Sequence, residues 1–208
     1  MKDVCYLLIN GDYEDKKFYY ENLISNDEVY CADGGANNCY KLGIIPKEIW
    51  GDMDSVEEKV YNFYKEKGVK FNVFDRNKDF SDTELLLEYL YSKFNRIYVL
   101  FAKGSEVDHF LTNINLLFKF KKIIFSSYNE DIFLIENSFV FENKLGKNIS
   151  FIPYSNVVKN LTLEGFKYNI SNRNIDRGTS LCLSNVIENK IAKIKFDEGM
   201  VIAIIKNI

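Results

Sequence analysis

The chain of 208 residues contains no apolar run approaching the roughly 20 residues that a membrane-spanning helix needs. Its opening stretch, MKDVCYLLINGDYEDKK, joins a short apolar run to early charges, which does not fit a secretory signal. Cysteine is scarce and scattered: Cys5, Cys31, Cys39 and Cys182 show no C-x-x-C spacing, and His109 is the single histidine, so a zinc centre is not expected. Strong charge bias is also missing, with 27 basic against 30 acidic residues and a formal charge of -3. No global field therefore favours nucleic acid or an anionic membrane, and any anionic ligand must be handled locally. Low-complexity tracts, long linkers and solenoid-period repeats are absent as well. These absences lead to an expectation of a cytoplasmic protein with buried, reduced thiols and with neither nucleic acid nor membrane as a partner.

What is present is a large supply of core residues, 47% hydrophobic and 15% aromatic. Short β-rich runs, VCYLLI at 4 to 9, EVYCA at 28 to 32, VKFNVF at 69 to 74, RIYVLF at 96 to 101 and KIIFS at 122 to 126, alternate with helix-like segments. That alternation predicts crossover units and a doubly wound, mainly parallel sheet. The clearest helix is SDTELLLEYLYSKF, residues 81 to 94, where Ser81 and Glu84 form a capping box and Leu86, Leu87, Leu90, Tyr91 and Phe94 recur at helical spacing. A second, DHFLTNINLLFKF from Asp108, carries Leu111, Ile114, Leu117 and Phe118 on one side. Beyond about residue 130 the helical period disappears. DIFLIE, SFVFE, ISFI, VVKNLTL, TSLCLS, KIAKIKF and MVIAII follow as short strand candidates between polar turns, the pattern of a β-sandwich or barrel. The expected division is an α/β domain over residues 1–128 and an all-β domain over 129–208.

In an open parallel sheet, ligands sit beyond the carboxyl ends of the strands. The clusters DGGAN at 33 to 37, GDMDS at 51 to 55, KDFSD at 78 to 82 and GSEVDH at 104 to 109 all fall there. Asp52, Asp54, Asp79 and Asp82 could converge on that rim, and converging carboxylates repel one another unless a cation lies between them. Oxygen-only ligands suit a hard ion, so Mg²⁺ is the candidate. Each cluster also has a plainer explanation. Asp82 sits in the first turn of a helix, where an acid is favoured anyway; Asp108 could be an N-cap; Gly34 and Gly35 could serve a tight turn or expose backbone N–H groups to phosphate.

The segments ADGGAN, GDMDS, KDFSDTE and DH followed by LTNINLL, with Ser184 and Asn185 in LCLSN, resemble the thiamin pyrophosphokinase family, in that order and across essentially the whole chain. The resemblance implies an ATP-dependent enzyme that passes the pyrophosphoryl group to the hydroxyethyl oxygen of thiamin, giving thiamin diphosphate and AMP. It implies a homodimer with active sites between subunits. By resemblance, Asp52, Asp54, Asp79 and Asp82 look like the Mg²⁺ ligand set, and Asp33, Gly34, Gly35, Asn37, Lys78 and His109 like the ATP-facing rim. Ser184 and Asn185 look like thiamin contacts, and Asp108 like a group that orients or accepts the thiamin proton. One position departs from the family pattern: Glu106 stands where an arginine usually precedes x-Asp-His, so either Lys103, Lys78 or Arg76 supplies the cation, or the loop faces elsewhere, or activity is impaired. Two other readings stay open on the sequence. D-x-D-S-V at 52 to 56 also fits a phosphatase with Asp52 as nucleophile and Asp54 as acid, and Glu106 suits a nucleotide- or thiamin-binding sensor without turnover.

Overall fold

A computed structural model describes every residue except Met1, Asn26 and Lys78. The chain divides into two compact units, Met1–Tyr128 and Asn129–Ile208.

In the first unit the strands are β1 (Lys2–Leu8), β2 (Glu28–Ala32), β3 (Glu48–Gly51), β4 (Lys70–Val73), β5 (Phe94–Leu100) and β6 (Ile123–Ser126). They lie in the order β6-β5-β1-β2-β3-β4, and each neighbouring pair among them runs parallel. Between them run the helices α1 (Lys17–Ile24), α2 (Gly35–Leu42), α3 (Glu58–Glu66), α4 (Asp82–Tyr91) and α5 (Val107–Lys119). The central strand β1 is buried from Cys5 through Leu8, as expected for a parallel sheet covered on both faces. Chain order reverses between β1 and β5, which creates a topological switch point there. All four cysteines are buried free thiols.

Local signals account for most of these helices. The Ser81 hydroxyl accepts the Glu84 N–H at 3.2 Å and caps α4, while Gly43, at φ 78°, ends α2 in the left-handed conformation that glycine favours. Two helical expectations need correction. α4 stops at Tyr91, and Phe94 opens β5 with its ring buried, because the sheet offers it a deeper site than a fourth helical turn would. In α5 the buried positions are Leu116 and Leu117, whereas Leu111 and Phe118 are exposed. Its apolar stripe is thus rotated from the one expected, and its first turns stand beside a cleft rather than on the core.

The second unit contains β7 (Glu130–Ile135), β8 (Ser138–Glu142), β9 (Asn148–Pro153), β10 (Val157–Glu164), β11 (Ile170–Asp176), β12 (Asn185–Val186), β13 (Ile191–Lys195) and β14 (Val201–Lys206). They form two antiparallel arrays, β12-β9-β14-β7 and β11-β10-β13-β8. The inward residues share one core, centred on Phe141, Phe151 and Phe166 with ring centroids 5.5 to 6.0 Å apart. The expected strand TSLCLS is instead a run of turns. Period-2 alternation would bury Leu181 and Leu183, yet these are exposed and Cys182 is the residue that enters the core. The strand that the sequence conceals is β11. Ile175 is its one fully buried residue, and it pairs with β10 through backbone bonds and amides: the Asn174 side chain accepts the Asn160 N–H at 3.0 Å, and the Thr162 hydroxyl accepts the Asn172 N–H at 3.1 Å.

Candidate active site

The site begins with the loop that follows β1. Asp12 N–H donates to the Lys103 carbonyl at 2.8 Å, and Ile9 N–H donates to the Leu100 carbonyl at 3.2 Å, so the chain beyond β1 is zipped to the chain beyond β5. Asn38, on α2 and buried, donates its amide to the Gly11 carbonyl at 2.9 Å and fixes the same loop from the other side. Above this floor, at the switch point, lies a cleft of about 500 Å³. Asn10, Gly11 and Asp12 form one wall, and Gly104, Glu106 and His109 form another. Ser81 and Thr83 close it from the start of α4, and Thr112 and Asn113 from α5. Asn10, Asp12, Asn38, Thr112 and Asn113 were not among the residues expected from the sequence. The INGD stretch at 9 to 12 did carry the relevant signal, a polar cluster directly after an apolar strand.

Beside the cleft, three carboxylates meet. One oxygen each from Asp33, Asp52 and Asp82 lies within 4.8 Å of the other two, and all three residues are half-buried. The local backbone is shaped for this approach. Asp33 has φ 44°, Gly51 φ 151° and Met53 φ 67°. Asp33 N–H donates to the Trp50 carbonyl at 2.7 Å, and a Cβ on Gly51 would come within 2.9 Å of Asp33 Cβ, so only glycine lets β3 end against Asp33. Left-handed Met53 costs about 1–2 kcal/mol relative to an ordinary conformation. Asp33 Oδ1 is buried and has no hydrogen-bond partner among the described residues. The Asp33 carboxyl is raised above its ordinary pKa, chiefly by burial, with the Asp52 and Asp54 charges adding to the shift and Ser55 and the Gly34 N–H opposing it. A buried acceptor with no donor among the described residues, set among converging carboxylates, is a donor set suited to a hard divalent cation.

Asp54 is exposed, accepts the Ser55 hydroxyl at 3.0 Å and pairs with Arg76 at 3.2 Å. Asp79 is exposed in the loop before α4. Neither belongs to the three-carboxylate cluster. Lys78 lies outside the described residues. Gly34 and Gly35 have no room for a side chain: a Cβ would sit 2.3 Å from Asn10 Oδ1 and 2.1 Å from the Leu8 carbonyl oxygen, so α2 packs directly on the end of β1. Asn37 uses both ends of its amide on the loop after β3, donating to the Ser55 carbonyl at 2.8 Å and accepting the Glu57 N–H at 2.9 Å. Asp108 is not the N-cap of α5. Glu106 occupies that position, and Asp108, in the first turn, accepts the His109 N–H at 2.9 Å. Glu106 and His109 face each other at 3.1 Å, both exposed. In the second unit, Ser184 is exposed with φ 53°, and its N–H donates to the Ser150 hydroxyl at 3.0 Å. Asn185 is buried, accepting the Tyr168 N–H at 3.0 Å and donating to the Tyr168 carbonyl at 2.8 Å.

Residues 20–126 match the family described as thiamin pyrophosphokinase, catalytic domain, and residues 137–201 match its vitamin B1 binding domain. The thiamine pyrophosphokinase of Bacillus subtilis (strain 168) is 33% identical over 180 residues, covering 83% of this chain and 84% of that protein. The chain belongs to the thiamin pyrophosphokinase family. Thiamine pyrophosphokinase 1 of Oryza sativa subsp. japonica is 25% identical over 200 residues, covering 82% and 76%. Among solved structures, the Bacillus subtilis thiamine pyrophosphokinase superposes with a TM-score of 0.86 at 26% identity, covering 98% of this chain and 99% of that one. The yeast thiamin pyrophosphokinase, at 18% identity and a TM-score of 0.81, shares the fold. Family membership across both units sets aside the phosphatase reading of Asp52, which would account for only one loop of the rim.

Proposed function

We propose that this thiamin pyrophosphokinase family member transfers the pyrophosphoryl group of ATP to thiamin, with Mg²⁺ held by Asp33, Asp52 and Asp82. The observation that carries the reading is the convergence of these three carboxylates next to the switch-point cleft, with Asp82 placed between the cleft residues Ser81 and Thr83. The nucleotide occupies the cleft. The thiamin hydroxyl oxygen bonds to the β-phosphorus, the bond from that phosphorus to the α–β bridging oxygen breaks, and AMP leaves. Asp108 takes up the hydroxyl proton. Bound by the carboxylates, Mg²⁺ would neutralise phosphate charge and align phosphate oxygens for in-line displacement. The chain's own contribution is positioning and electrostatics, which requires no nucleophilic side chain.

Asp54 and Asp79 then act near the metal rather than in the inner set, and Arg76 and Lys103 are the candidate cations for the triphosphate. In the second unit the exposed Ser184 contacts thiamin, and the buried Asn185 holds the turn that presents it. A homodimer and a cytoplasmic location complete the proposal. No helix among the described residues is long and apolar enough to cross a membrane.

The test is AMP release measured with ATP, thiamin and Mg²⁺ together, and then with each omitted. The proposal expects AMP and thiamin diphosphate in equal amounts, only when all three are present. Release of ADP and phosphate, or AMP formation independent of thiamin, overturns it.

A further inference from the structure

The loop that brings Asp52 to the site runs from the end of β3 to the start of α3. Several bonds shape it internally: Asp54 N–H donates to Asp52 Oδ1 at 3.1 Å, and Val56 N–H donates to the Met53 carbonyl at 3.3 Å. These bonds fold the loop on itself, while Asp54 pairs outward with Arg76 and the Ser55 side chain bonds the Asp33 carboxyl. Met53, beside Asp52, holds a left-handed φ that the surrounding structure must enforce. The attachment to α2 comes from Asn37. Its amide spans the loop, with Nδ2 donating to Ser55 O at 2.8 Å and Oδ1 accepting from Glu57 N at 2.9 Å. A carbonyl at one end and an N–H at the other determine which way the amide faces. Asn37 stands on the helix that directly follows Asp33, so the helix carrying one cluster member out of β2 also ties down the loop that bears another.

We propose that Asn37 is a positioning residue for the metal site, setting the distance between Asp33 and Asp52 by clamping the Asp52 loop to α2. It acts through those two carboxylates and needs no contact with nucleotide. The inference rests on the Mg²⁺ reading given above. Its consequence is that losing the clamp weakens metal binding without altering thiamin recognition.

Two variants remove the clamp from opposite ends. Asn37→Ala deletes both bonds. Glu57→Pro deletes, of the two clamp bonds, the one from the N–H that Asn37 accepts; Glu57 has φ -60° and ψ 136°, which suit proline, and among the described residues its side chain pairs with exposed Lys59. The direct readout is Mn²⁺ binding to the full chain without substrates, followed by paramagnetic resonance. Asn37→Ala should weaken it roughly tenfold, about 1.4 kcal/mol. Glu57→Pro should weaken it less, and the double variant should bind no more weakly than Asn37→Ala, because both changes break one clamp. In steady state the Mg²⁺ concentration for half-maximal AMP release should rise in parallel while the thiamin KM stays put. Wild-type Mn²⁺ affinity in either single variant, or additive losses in the double variant, overturns the positioning role alone. No Mn²⁺ binding by the wild-type chain removes the metal reading, and this inference falls with it.

Discussion

Buried polar groups are treated in opposite ways in the two units. In the second, Asn185 is buried with its carbonyl oxygen and its amide both used on Tyr168, and the amides of Asn172 and Asn174 are spent on the pairing of β10 with β11. In the first, Asn37 and Asn38 are equally committed to holding loops, yet the Asp33 carboxyl keeps a buried oxygen with no donor among the described residues. A satisfied buried amide stabilises its own turn, whereas an unsatisfied buried carboxylate costs stability that a ligand can return. The same polar chemistry is therefore satisfied internally in one unit and leaves an open acceptor in the other.

The strongest challenge to that contrast is to remove charge from the cluster. Asp52→Asn or Asp82→Asn should lower kcat by roughly 100-fold or more, the scale of losing a principal electrostatic contact in a transition state, while far-ultraviolet circular dichroism stays unchanged. Near-normal turnover at limiting Mg²⁺ would falsify the assignment. On the structural side, Asn185→Ala removes a buried amide together with both of its bonds to the Tyr168 backbone and should destabilise the protein by about 1–3 kcal/mol. Urea unfolding measures this, and an unchanged midpoint would mean that Asn185 serves a ligand rather than the turn.

A smaller effect is expected at the departure from the family pattern. Glu106 lines the cleft and faces His109, so it presents negative charge toward any triphosphate bound there. Glu106→Arg should improve kcat/KM for ATP by roughly tenfold, about 1.4 kcal/mol, through lost repulsion and a gained charge-assisted contact. Unaltered ATP kinetics in both Glu106→Arg and Glu106→Gln would show that this face does not meet the phosphates.

The smallest effect is a pH signature. Burial, with Asp52 and Asp54 adding charge, raises the Asp33 carboxyl in the folded chain, so folding takes up protons between the ordinary aspartate pKa, about 3.9, and the raised value. Stability from this group falls as pH rises through that window and stays lowered above it. Metal-free Asp33→Asn should accordingly melt above wild type at neutral pH, with the difference fading below about pH 3.9. Mg²⁺ should raise the wild-type melting temperature and leave that of the variant almost unmoved. A metal-free variant that melts lower at neutral pH would mean that the carboxylate is stabilising and the cluster is not strained.

The doubly wound sheet, the all-β half and the rim were readable in the sequence because each rests on a local pattern. Apolar runs such as VCYLLI and EVYCA end in polar clusters, and helical period gives way to short alternation near residue 130. Where local pattern and packing disagree, reading failed. TSLCLS alternates like a strand but forms turns, and β11 is too polar to stand out because its edge position needs backbone pairing more than apolar burial.

The sequence by itself determined the layered architecture, the candidate rim and the family motifs, since periodicity, turn residues and motif order are properties of short stretches. Only the tertiary structure decided which acids meet. Asp33, which the family resemblance puts on the nucleotide-facing rim, joins Asp52 and Asp82, while Asp54 turns to Arg76 and Asp79 is exposed. That choice depends on the register of β2 against β3, on left-handed backbone at Asp33 and Met53 and on a glycine that lets two loop ends nearly touch. Each is a relation between segments that are distant in the chain, and no local spacing encodes it.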